Sequence, residues 1–268
     1  MKSTIIPPIK HLELAKGRDY HLILAHLVEL SSDYREFYKS ESENGSHIIL
    51  DNSAHEFKVG QPIQRLLELA PQVGASEIVI PDKLFDGLAT STMALNSFLE
   101  LTKSLYPYHW MLVPQGKDEE DFSACLHTLG LVIEMVRRES PLLLSKGITL
   151  GVSKDYEIFD GGLYRIIKDY VIPWADYYHA DIHLLGWGRD LWAYKKIAED
   201  FGGRIRSIDS AKPLVYATSQ IALDPVTSVV PEYPRRPENY FHYEFTPEGL
   251  EIARHNTSIF DSITNGVV

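Results

Sequence analysis

Six short apolar runs in this chain each stop on a polar residue or a glycine, and the stops lie about one strand and one helix apart. HIIL ends on Asp51, EIVIP on Asp82, WMLVP on Gln115, ITL on Gly151, HLL on Gly186 and IRSI on Asp209. The intervals between these stops are 31, 33, 36, 35 and 23 residues, close to the roughly 30 residues of a strand-plus-helix unit. Such apolar runs are the mark of strands covered on both faces. A chain that alternates in this way folds as α/β, and eight such units close into a parallel (β/α)8 TIM barrel. Residues at the carboxyl ends of different strands then converge on one mouth, so acids scattered along the sequence become neighbours in space.

A length of 268 residues with 44% hydrophobic content fits one barrel domain over residues 1–268, since about 250 residues is typical of this fold. No apolar run nears the roughly 18 residues of a membrane span. The start MKSTIIPPIKHLE places prolines and charges where a signal peptide needs an unbroken apolar stretch. The expectation is a soluble, cytoplasmic protein (in the host cytoplasm if phage-encoded) with no membrane partner. Cys125 is the single cysteine and sits in a helical pattern, which suits packing and excludes an internal disulfide or a multi-cysteine zinc cluster. A net charge of −11 argues against sequence-independent affinity for polyanions. Arg204, Arg206, Lys212, Arg235 and Arg236 still supply local basic content beside the mouth.

Taken in order, HLILAHL near residue 21 reads as the first strand, followed by a polar, turn-rich insertion, SSDYREFYKSESENGS. SHIILDN, EIVIPD, YHWMLVPQ, GITLGV, DIHLLGW and RIRSIDS are strands two to seven, and LVYA or YFHYEF the eighth. Helices fall between them, among them QPIQRLLELAPQ with Pro62 in its first turn and EIFDGGLYRIIKDYVI broken by two glycines. DEEDFSACLHTLGLVIEMVRRES begins with acids and ends with arginines, as the helix macrodipole favours. TPEGLEIARHNTSIFDSI closes the chain with Thr246 as cap and Pro247 in first position. The Pro-rich stretch from Asp224 to Pro237 reads as a second insertion that wraps the mouth.

The mouth therefore offers carboxylates, a glutamine and glycine backbone, with neither a P-loop nor a G-x-S-x-G nucleophile elbow. Carboxylates alone suit substitution at a sugar carbon, where one attacks or stabilises an oxocarbenium-like centre and another group moves the proton. The same oxygen set could instead hold a divalent metal.

The order and flanking residues of these stops resemble the queuine tRNA-ribosyltransferase (tRNA-guanine transglycosylase) family, particularly its short phage and bacterial relatives that insert 7-deazaguanines into DNA. LDNSAHE looks like the family's Asp-Ser-Gly-Gly-aromatic segment, IPDKLFD like its guanine-reading aspartate, and VPQGKDEEDF like its Val-Gln-Gly-Gly turn. TLGVS, LLGWG and SIDSAKP are similar to its Gly-Gly-Leu, Leu-Met-Gly-Val-Gly and Phe-Asp-Cys-Val-Leu-Pro segments. The matches span roughly residues 45–215. The family's three-cysteine, one-histidine zinc motif is absent, and LVYATS stands where the tRNA enzymes carry an arginine-rich segment. Both departures favour the DNA-modifying relatives.

The resemblance implies Asp209 as nucleophile and Asp51 as general acid/base. It implies a base pocket of Asp82, Gln115, Gly151, Val152, Ser53, His55, Leu185 and Gly186, with His55 and Leu185 on the two faces of the base. Lys154, Arg204 and Lys212 are candidates for backbone phosphates, and Trp187 and Tyr216 for a water-excluding lid. Implied partners are DNA, alternatively tRNA, and a 7-deazaguanine base such as 7-cyano-7-deazaguanine, with no metal or cofactor and a possible homodimer. A non-catalytic partner subunit of such an enzyme is a further alternative, which retention of both Asp51 and Asp209 disfavours.

Overall fold

Strands too short to stand alone are held here by pairing, six of them on both sides. The computed structural model describes residues 1–103, 106–188, 191–224 and 234–266. The chain opens with β1 (Lys2–Ile5) and β2 (Tyr20–Leu24), continues through α1 (Ala25–Leu30) and α2 (Ser32–Glu43), and enters β3 (His47–Asp51). α3 (Ala54–Phe57) and α4 (Ile63–Leu69) lead to β4 (Glu77–Val79), and α5 (Gly87–Leu101) to β5 (His109–Leu112). α6 (Glu119–Glu139), β6 (Ile148–Ser153), α7 (Gly162–Ile166), α8 (Ile172–Tyr178) and β7 (Asp181–Leu185) follow. α9 (Leu191–Phe201), β8 (Ser207–Ser210), α10 (Lys212–Thr218) and α11 (Pro247–Thr264) complete the order. The strands form one eight-stranded sheet, β1-β8-β7-β6-β5-β4-β3-β2, with every pair parallel. β1 and β2 lie side by side without a ladder between them, so the sheet is a nearly closed (β/α)8 TIM barrel.

Three expectations are corrected. The strand at residue 21 is the second, because Lys2–Ile5 pairs with β8 from Lys2↔Ser207 to Ile5↔Ser210 and precedes it. The eighth place is thereby filled from the amino end; LVYA lies in α10 and Tyr240–His242 is a short 3-10 turn. The stretch after Leu30 is mostly α2, capped by Ser31, whose side chain accepts from the Tyr34 N–H, and only its end at Asn44–Gly45 is the expected turn. Its Tyr34, Tyr38 and Glu41, spaced i, i+4, i+7, are buried, which is the packing of one helix face.

Smaller differences have local causes. Pro62 caps α4 from outside its first turn, with ψ 145°. Gly161 caps α7 and Gly162 is its first residue, so the pair opens the helix rather than interrupts it, and the helix then widens to a π turn at Ile167–Val171 ahead of Pro173, which has no N–H to give. Thr246 caps α11 by accepting from the Gly249 N–H, with Pro247 in its first turn. α6 carries Asp118 as cap, acids in its first turn and Arg137 and Arg138 in its last. Cys125 is buried on α6, where its sulfur accepts from the Gln115 N–H at 3.4 Å and ties the end of β5 to the helix layer. Within the Pro-rich second insertion, residues 225–233 lie outside the described residues. Among the described residues, no helix is long and apolar enough to cross a membrane.

The amino end of the barrel is closed by charge. Glu77 at the start of β4 is fully buried and meets the Arg206 guanidinium, reaching in from beside β8, at 2.8 Å. His47 Nε2 lies 2.7 Å from the same carboxylate. Arg206 also donates to Thr149 Oγ1 at 3.0 Å and pairs with Asp181 at 3.2 Å, so one side chain links β4, β6, β7 and β8. Burial would raise the Glu77 pKa, but the hydrogen bond from His47 and the charges of Arg206, His109 and His47 outweigh it and hold it at about 2. A folded-state value below the unfolded 4.5 makes this pair a source of stability above about pH 4.5 that is lost as pH falls toward 2. Glu77→Ala, which strands a buried guanidinium, is expected to lower unfolding free energy at pH 7 by about 3–5 kcal/mol. Urea melts at pH 7 and pH 3 check this, the deficit shrinking at the lower pH.

Candidate functional site

The opposite, carboxyl end holds a cavity of about 340 Å³, within the usual size range of small-molecule sites. Asp51, Asp82, Gln115, His55, Leu185, Gly186, Asp209, Lys154 and Lys212 all line it. Asp51 comes from the end of β3 and Asp209 from β8, which are separated by four strands in the sheet order, yet both reach this one space.

Asp209 stands on the inward face of β8, in register with Thr4 of β1 and Leu185 of β7. Its Oδ1 lies 3.1 Å from His183 Nε2 and accepts from the Gly186 N–H at 3.3 Å. Gly186 can aim its N–H back at the carboxylate because its φ is +80°, a conformation that L side chains rarely adopt. Oδ2 receives no hydrogen bond among the described residues, and Asp209 lines the cavity.

Asp51 is gripped by its own turn. Ser53, left-handed at φ 62°, gives its N–H to Asp51 Oδ2 at 2.8 Å, and Asn52 Oδ1 accepts from the Ala54 N–H at 2.8 Å. Burial pushes the Asp51 carboxyl well above the usual carboxylate range, helped by the nearby Glu56 charge, opposed by the Ser53 N–H and helped further by Asp82 and Asp209. Glu56 is itself held low: burial raises it, but the hydrogen bond and charge of His55 and the charges of Arg236 and His26 win. Arg236 Nη1 lies 3.2 Å from Glu56 Oε1. The environment thus separates two adjacent acids, biasing Asp51 to the protonated form and Glu56 to the charged one.

Asp82 forms a third corner. Asn52 Nδ2 donates to its Oδ1 at 2.7 Å and Gln115 Nε2 to its Oδ2 at 2.6 Å. Gln115 Oε1 accepts from the Phe85 N–H at 3.3 Å, which fixes the amide's orientation. Burial raises Asp82 to about 6 against these two side-chain hydrogen bonds. A carboxylate with one donor on each oxygen keeps lone pairs free for a guest that presents two further donors.

Other expected residues lie elsewhere. The Ser53 hydroxyl turns to His26, 2.9 Å from its Nδ1, so Ser53 serves the site through its backbone and does not line the cavity. Gly151 sits beneath the floor, where a Cβ would meet Val113, Met111 and Leu185, and the adjacent Val152 is fully buried; Ser153 is the β6 residue that lines the cavity. Arg204 precedes β8 and pairs with Asp176 at the amino end of the barrel, and Arg206 is committed to Glu77, so neither reaches the mouth. Lys212 lines the cavity but is only 3% exposed, with its ammonium bonded to the Gly188 carbonyl and lying over the Trp187 and Tyr216 rings at 5.5 and 5.8 Å. Trp187 lines the cavity as a buried ring packed on Phe260 at 4.8 Å, and Tyr216 is buried outside the cavity lining.

Sequence reasoning passed over His183, Asn52 and Glu56; Arg236, expected only as basic content beside the mouth, does line the cavity. The first was within reach, since it stands two residues before Leu185 and strand alternation puts both on the same face. Among the described residues, no group of three or more carboxylate, imidazole or thiol donors is placed to hold a metal ion. Comparison with protein-family models and with curated proteins finds no match for this chain.

Because the folded-state value of Asp82 lies above its unfolded 3.8, its contribution to stability is fully present below about pH 3.8 and is lost as pH rises through about 6. Relative to Asp82→Asn, the unchanged protein is expected to lose about 3 kcal/mol of unfolding free energy between pH 4 and pH 7, roughly two units at ~1.4 kcal/mol each. Denaturant melts of both proteins at these pH values measure it; parallel curves would mean that the carboxyl is solvated.

Proposed function

We propose that the protein is a guanine transglycosylase, a pentosyltransferase that exchanges guanine in DNA for a 7-deazaguanine base such as 7-cyano-7-deazaguanine. The observation that carries this reading is the convergence of Asp51, Asp82 and Asp209 on one cavity with three different environments. In the proposed first step the carboxylate of Asp209 attacks C1′ through its free Oδ2. The C1′–N9 bond breaks with its electrons passing to the base, and Asp51 supplies a proton to the departing guanine. The incoming base then loses its ring N–H proton to Asp51 while its nitrogen displaces the Asp209 ester, so the sugar configuration is retained overall.

Asp82 suits the guanine edge, because N1–H and the exocyclic amine are two donors facing an acceptor, where adenine would offer an acceptor at N1. The 7-deaza product lacks N7, a site whose protonation helps a purine leave, so exchange runs forward without ATP. The target nucleotide must leave its stack to reach C1′, at a cost of about a few kcal/mol. In this reading Lys154 and Arg236, both lining the cavity and both partly exposed, would meet the flanking phosphates.

The decisive assay digests DNA to nucleosides after incubation with the protein and 7-cyano-7-deazaguanine, and reads the products by mass spectrometry beside a tRNA control. The deazaguanine nucleoside is expected in DNA, and Asp51→Asn is expected to slow its appearance by about 10²–10⁴-fold. Incorporation into tRNA alone would transfer the reading to an anticodon enzyme, and none in either polymer would overturn it.

A further inference from the structure

Behind Asp209 runs a chain of polar contacts through the barrel, from its floor to its mouth. Glu77 pairs with Arg206 Nη2 at 2.8 Å, and Arg206 Nε donates to Ser207 Oγ at 3.3 Å. Ser207 Oγ lies 2.8 Å from His183 Nδ1, and His183 Nε2 lies 3.1 Å from Asp209 Oδ1. Ser207 and His183 are fully buried, and parallel register sets them opposite each other on β8 and β7.

The direction of every proton in this chain follows from its two ends, a guanidinium that only donates and a carboxylate that accepts. A guanidinium carries only donors, so Ser207 Oγ must act as the acceptor for Arg206 Nε. The hydroxyl keeps one lone pair and its own hydrogen, while Asp209 Oδ1 is an acceptor that takes the His183 ring hydrogen at Nε2, so in the neutral ring Nδ1 receives the hydroxyl hydrogen. The ring hydrogen is left on Nε2, aimed at Asp209. Glu77 holds Arg206 in place, and Gly186 supplies the second donor to the same Asp209 oxygen.

We propose that His183 is a positioning residue: as the Nε2–H tautomer, selected by Asp209 at one ring nitrogen and by Arg206 through Ser207 at the other, it pins Asp209 Oδ1 and leaves Oδ2 turned to the cavity for attack. Its catalytic meaning rests on the transglycosylase reading; its tautomer does not. Both donors to Asp209 are satisfied on one oxygen, so a carboxylate that could otherwise rotate about χ2 presents one orientation. Such fixed orientation is the part of rate acceleration most sensitive to small displacements.

Two measurements on the full chain separate the parts. Nitrogen-15 NMR of the histidine-labelled protein at pH 7 is expected to show His183 as the Nε2–H tautomer, and Ser207→Ala to convert it to a mixture. An Nδ1–H form or a doubly protonated ring in the unchanged protein, or no response to Ser207→Ala, overturns the relay whatever the enzyme does. In the base-exchange assay, His183→Phe is expected to lower kcat about 100-fold with KM for the incoming base changed less than threefold. His183→Gln, whose side-chain amide can again donate to Asp209, is expected to recover at least tenfold of that loss. Equal loss in both variants, or a loss confined to KM, overturns the positioning role. Absence of exchange by the unchanged protein on DNA and tRNA refutes the functional reading and with it the catalytic role, while the tautomer result stands on its own.

Discussion

Parallel pairing in one continuous register is what every feature of the site depends on. Each strand of three to six residues is held by ladders to its neighbours, and the pairing of β7 with β8 alone places His183 opposite Ser207 and Leu185 opposite Asp209. A shift of one residue would turn Asp209 toward the helix layer and bring Ile208 into the cavity. The same closure carries Asp51 around from β3, so two acids 158 positions apart share one solvent-poor space. The Glu77–Arg206 pair works at the other end of the same strands, where it ties the start of β4 to the residue just before β8.

Within that space the acids are differentiated by what surrounds them. Asp51 has one backbone donor and a charged neighbour in Glu56, and its carboxyl is driven upward. Asp82 has an amide on each oxygen and rises only to about 6. Asp209 has an imidazole and a glycine N–H on a single oxygen. Environments that push like groups apart are the general means by which one pocket runs both acid and nucleophile chemistry. Glu56 takes part without being an evident reactant, because its charge, held by His55 and Arg236, adds to burial in keeping a proton favourable on Asp51.

Much of this was legible in the amino-acid sequence because strand alternation and strand-end punctuation are local signals. Seven of the eight strands follow from apolar runs. β1 escaped notice because KSTI offers only two fully buried residues before Pro7 and Pro8, so the missing strand was sought at the wrong terminus. α2 was hidden by its Ser, Glu and Lys content, although Tyr34, Tyr38 and Glu41 keep helical spacing. Arg204 was misplaced for a different reason: residues before a barrel strand lie at the amino face, and only those after it reach the mouth. The His183–Ser207–Arg206 chain could not be read at all, since it depends on register between strands, which sequence spacing does not specify.

The central claim is that Asp209 forms a covalent bond to the sugar while Asp51 handles the proton. Rapid denaturation of the protein during exchange on guanine-containing DNA, followed by proteolysis and peptide mass spectrometry, tests it most directly. The account predicts a deoxyribose adduct on the peptide containing Asp209, enriched in Asp51→Asn if ester resolution is slowed, and absent in Asp209→Ala. An adduct on another residue, or undiminished exchange by Asp209→Ala, would contradict it.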